Sequence, residues 1–108
     1  MPDALDLVVE VADMMAVFAA QRLARIDAMR RDALADAARD GRELTEVIER
    51  GIRLELAAAL RITEHAAADL LSRAEALVHR YPTVLAALGR AVITERHAEI
   101  LVDGLELI

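Results

Sequence analysis

Few residues in this chain could do chemistry by themselves: three histidines (His65, His79, His97), one serine (Ser72), and nineteen acids set against thirteen basic residues, every one an arginine. Imidazole is the commonest transition-metal ligand, but a metal site needs ligands whose spacing lets them converge. No two histidines stand four residues apart and no Glu-x-x-His occurs; Glu75 and His79 are read as the one acid and imidazole sharing a helix face. Nucleophilic catalysis needs a base beside the nucleophile, or two carboxylates in differently tuned surroundings. Ser72 has no such partner at a readable spacing. The acid pairs Glu95/Glu99 and Glu46/Glu49 fall at helical neighbour spacing, where a solvated face with arginines nearby looks the same. These residues therefore predict no catalytic site, no metal and no cofactor, and a chain that is not itself an enzyme. His65 is read as solvent-facing, and His97 as the third residue of a helix, close to its cap.

The elements that must carry these residues are helical. At 108 residues the chain is one domain's worth, able to bury roughly two thirds of its unfolded surface. Alanine and leucine dominate, and Phe18 and Tyr81 are the only aromatics. Such a composition favours helix almost throughout, so the fold class is all-α. The absence of cysteine excludes disulfides and thiolate metal sites, and the N-terminus lacks the order of a secretion signal; a cytoplasmic setting is expected. The longest apolar run, Leu5 to Ala20, contains Asp6, Glu10 and Asp13, too many charges for a bilayer centre. The net charge of −6 repels phosphate backbones, so nucleic acid could be met only through a locally basic face.

Asp3 can cap a helix that runs without Gly or Pro from about residue 4 to 39, and Asp40-Gly41 closes it. Leu5, Val9, Ala12, Met15, Ala16, Phe18, Ala19, Leu23 and Ile26 supply the apolar stripe of its first half. Thirty-six helical residues span roughly 54 Å, against about 35 Å for a compact domain of this size, so part of the helix should overhang. That overhang makes these nine residues the candidate self-association face, with a homodimer favoured among homo-oligomers and an antiparallel pair as one arrangement it could take. The other explanation is missing downstream chain.

Three or four shorter helices follow over about 45–108. Thr45 is read as the cap of the second, in which Gly51 could mark a kink or a close crossing. Ile62-Thr63-Glu64 and Ile93-Thr94-Glu95 repeat one helix start: a threonine cap, an acid in the first turn, and an isoleucine placed to lock onto Ala67 or Ala98. Pro82 opens a short helix that closes at Gly89. Leu54 to Tyr81 thus reads as a helix-turn-helix-like pair, and Thr63, His65, Arg61 and Arg73 are its candidate nucleic-acid face. Glu64 and Asp69 beside them make that face poor for DNA. Leu105, Leu107 and Ile108 close the sequence on an apolar note, as though it were cut from a longer protein.

From about Glu46 onward the sequence resembles the actinobacterial domain of unknown function 222 family, also called the 13E12 repeat family. The match lies in LELAAALRITEHAAADLLSRAEALV, in Arg80-Tyr81-Pro82-Thr83-Val84-Leu85-Ala86-Ala87-Leu88, in Ile93-Thr94-x-x-His97-Ala98, and in the long Ala/Arg/Leu helix before them. The specific part covers roughly Leu54 to Ala98. One departure is visible: the family usually carries glycine two residues before the isoleucine of the last segment, where this chain has Ala91, with Gly89 upstream. Proteins of the family commonly carry an HNH nuclease domain C-terminal to the helical region, and the resemblance implies a similar parent. This chain has neither the paired-histidine metal motif nor zinc-structuring cysteines of that nuclease. The reading is therefore a single non-catalytic helical domain of a nuclease-associated protein that self-associates; the alternative is a DNA-positioning module using the helix-turn-helix-like pair.

Overall fold

A computed structural model describes residues 1–42 and 46–108. The expected Thr45 cap lies outside the described residues. The described residues form five α-helices, α1 (Ala4–Arg39), α2 (Glu46–Leu60), α3 (Glu64–Glu75), α4 (Pro82–Gly89) and α5 (Glu95–Glu106), and no strand. The all-α class and the long first helix are as expected. Among the described residues no helix is long and apolar enough to cross a membrane.

Local chemistry sets the helix starts. The Asp3 carboxylate accepts from the Asp6 N–H at 2.9 Å while Asp6 reaches back to the Asp3 N–H, a reciprocal capping box. Thr63 Oγ1 accepts from the Ala66 N–H at 3.0 Å, and Thr94 Oγ1 from the His97 N–H at 3.1 Å. Three helix ends share one closing turn. The residue after the cap takes a left-handed φ, at Gly41 (72°), Arg61 (58°) and Ala91 (58°). The next N–H then donates five residues back: Arg42 to Ala37, Ile62 to Ala57 and Val92 to Ala87. α4 ends at Gly89 as expected, but its left-handed position falls two residues on, at Ala91. α2 is unbroken at Gly51, which is exposed with open space where a Cβ would stand, so Gly51 makes no close crossing and nothing in the structure explains it.

α3 does not stop at Glu75. It widens into one π-helical turn, Ala76–Arg80, closed by the Tyr81 N–H donating to Ala76 C=O at 2.9 Å. That turn buries Ala76 and Leu77. The core lies along the second half of α1, where Ala16, Ala19, Leu23 and Ile26 meet Ile52 and Leu56 of α2, Ala67 and Leu71 of α3, Leu77, Leu88 of α4, and Ala98 and Val102 of α5. α1 packs most broadly on α3 and α4, and α2 on α3. The chain measures 59 × 32 × 23 Å, the long dimension being set by α1.

Candidate functional site

Every residue from Met1 to Met15 is exposed, and the first buried side chain of α1 is Ala16. The eight helical residues 4–11, about 12 Å, therefore project beyond the core, while Ala12 and Met15 line a shallow pocket with Thr94, Glu95 and Arg96. The nine residues of the expected self-association face divide at this point. Leu5, Val9, Ala12, Met15 and Phe18 are open to solvent, whereas Ala16, Ala19, Leu23 and Ile26 are buried against this chain's own α2 to α5. The stripe is continuous in sequence, but its lower half is already occupied. Leu7, Val8, Val11 and Met14 are also exposed, so the projecting segment is apolar around most of its circumference. The signal for this second seam is the alternation of four- and three-residue steps in Leu7, Val11, Met14 and Phe18.

Below Phe18 the same face of α1 opens into a shallow groove of about 370 Å³ against α2, walled by Phe18, Ile26, Met29 and Leu56 with Arg22 and Arg25 at its edge. Lone exposed leucines are ordinary on a protein surface; a contiguous row running into an apolar groove is not.

The helix-turn-helix-like pair is held differently from a DNA reader. Arg61 occupies the left-handed turn position, and the Thr63 hydroxyl is spent on its cap. His65 has a side chain 88% exposed and lies 3.5 Å from Asp69, an acid four residues on that makes a second acid-imidazole pair on one helix face. Arg73 is largely buried and faces Glu99 of α5 at 3.8 Å. Elsewhere Arg22 meets Glu95 at 3.4 Å, Arg30 meets Glu49 at 3.2 Å, and Arg53 meets Glu64 at 3.5 Å. The arginines are thus distributed among acids rather than gathered into a patch. Ser72 lies in a cleft of about 470 Å³ between α3 and α5 with Asp69, Asp103 and Glu106, but no imidazole lines it.

Two polar clusters escape the sequence reading. Asp27 of α1 is 1% exposed; its Oδ2 accepts from Arg31 Nε at 2.9 Å and stands 2.8 Å from His79 Nε2, while Oδ1 has no partner among the described residues. Glu75 does not take His79. The wide π turn advances its partner by one residue, to Arg80 at 3.8 Å, and His79 swings onto α1. At the far end Arg80 donates to Glu106, and the Tyr81 hydroxyl donates to the same carboxylate at 3.1 Å, pinning α5 to the π turn. The Arg80 hydrogen bond holds the Glu106 carboxyl below its ordinary value of 4.5, and desolvation together with that carboxylate pushes the Tyr81 phenol above 10.0. Among the described residues no three His, Cys, Asp or Glu side chains are grouped to hold a metal ion. Comparisons with family models, curated proteins and solved structures found no match to this chain.

Proposed function

We propose that this chain is a non-catalytic helical assembly module, built to pair with a second copy through the first half of α1, and that it serves as the helical part of a nuclease-associated protein of the kind its residues 54–98 resemble. The observation that carries the assembly reading is the projecting, uncovered apolar segment of α1. Leu5, Leu7, Val8, Val11, Met15 and Phe18 are each at least half exposed, and with Val9 and Met14 they present on the order of 800 Å² of apolar surface, what each side of a standard interface buries. A soluble domain that left this area in water would forgo a large hydrophobic gain. The four matching segments support the nuclease setting, and the absence of cysteine fits a cytoplasmic one. The alternative DNA-positioning role draws no support from the geometry, because Thr63 and Arg73 are engaged within the chain and Glu64 and Asp69 border the same helix.

Sedimentation velocity tests the assembly reading. The chain should sediment as a dimer at micromolar concentration, and Val11→Glu combined with Phe18→Glu should weaken association by about a hundredfold or more without unfolding it. A clean monomer for the unaltered chain at that concentration would overturn it.

A further inference from the structure

We infer that the pairing is antiparallel and reciprocal: the projecting N-terminal segment of each copy lies along the second half of the other copy's α1 and fills the groove beside its Leu56. This rests on the assembly reading and specifies its geometry.

Charge along α1 is divided. Residues 3–13 carry Asp3, Asp6, Glu10 and Asp13 with no basic residue. Residues 22–31 carry Arg22, Arg25, Arg30 and Arg31; Arg22 is met by Glu95, Arg30 by Glu49 and Glu75, and Arg31 by the buried Asp27, so Arg25 alone of the four has no acid partner among the described residues. A parallel pair would set acid against acid in the projecting halves, whereas an antiparallel pair sets each acidic half against the other copy's residues 19–29, where Arg22 and Arg25 are exposed and Asp27 is buried, which removes that repulsion. The macrodipoles of the two helices also oppose one another only in the antiparallel case.

The apolar surfaces agree. The projecting seam Leu7, Val11, Met14, Phe18 continues at the same alternating spacing through Gln21 and Arg25. One register is symmetric: Met14 of each copy meets Phe18 of the other, Val11 meets Gln21, and Leu7 meets Arg25. In it Leu7 and Val11 reach the groove walled by Phe18, Ile26, Met29 and Leu56. A parallel pair would leave both grooves in water. The antiparallel pair covers both seams and both grooves with one contact repeated by a two-fold axis.

Because the chain has no cysteine, a single introduced thiol reports one proximity. Leu7 and Arg25 are both exposed and outside the core, so Leu7→Cys and Arg25→Cys should fold normally, which circular dichroism checks. In the antiparallel register the two Leu7 positions lie about 27 Å apart, too far for a disulfide. Mild oxidation of the mixed variants should therefore give a disulfide-linked heterodimer at several-fold higher yield than either variant alone. Self-linking of Leu7→Cys would overturn the inference in favour of a parallel pair. A sedimenting dimer whose mixed variants fail to link would also overturn it while leaving assembly itself standing, whereas a monomer by sedimentation would remove both.

Discussion

Arg61 and Ala91 hold a left-handed backbone that costs a side-chain-bearing residue roughly 1–2 kcal/mol. Each is kept there by the closing turn of its helix, whose two backbone hydrogen bonds form only if that residue turns the chain. Ala91 is also the position where the resembled family carries glycine. Placing glycine there has a calculable sign: it removes the left-handed penalty but adds conformational freedom to the unfolded chain. Ala91→Gly should therefore stabilise the fold by about 0.5–1 kcal/mol, read as a higher urea midpoint at unchanged slope. Asp27 teaches a different lesson at this scale. An acid four residues before an arginine on a long helix reads as an ordinary surface pair. Its burial shows only in the tertiary structure, where the π turn brings His79, 52 residues away, against it.

At the scale of elements, the π turn sorts the polar contacts of α3. It sends His79 to α1 and leaves Arg80 and Tyr81 to clamp the last turn of α5 through Glu106. The clamp is pH-sensitive in a definite direction. Glu106 has a lowered folded-state value, so its contribution is present above 4.5 and is lost as pH falls through the depressed value. Tyr81 has a raised value, so its contribution is present below 10.0 and is lost as pH rises through the raised one. The end of α5 should hence loosen below about pH 4.5, before the core unfolds. Tyr81 is the sole tyrosine and there is no tryptophan, so its fluorescence reports this step. Glu106→Gln should abolish the acid-dependent change; an unaltered titration in that variant would show that the clamp does not hold α5.

The whole molecule divides α1 into two halves with different energetics. Leu23 is fully buried where α1 meets the other helices, so Leu23→Ala should cost about 2–5 kcal/mol of folding stability. Val11 touches none of the core, and Val11→Glu should shift the stability of the dilute, dissociated chain by less than about 0.5 kcal/mol while weakening association. Chemical denaturation at low and high protein concentration separates the two effects, and a large loss from Val11→Glu in the dilute chain would show that the projecting segment belongs to the fold.

Helix positions were legible in the sequence because caps, closing turns and Pro82 act within a few residues, and each of Asp3, Gly41, Thr63 and Thr94 works with neighbours already visible in the chain. Tertiary structure alone decided what covers each apolar face. Periodicity shows that Leu5 to Ile26 forms a stripe, but Ala16, Ala19, Leu23 and Ile26 are covered only because α2 to α5 gather at that end, leaving Leu5, Val9, Ala12, Met15 and Phe18 in solvent. The left-handed angle at Ala91 rather than at Gly89, and the wide turn that aims His79 at Asp27, were set in the same way: local propensities tolerate several geometries, and burial of Leu77 and Leu88 selects one.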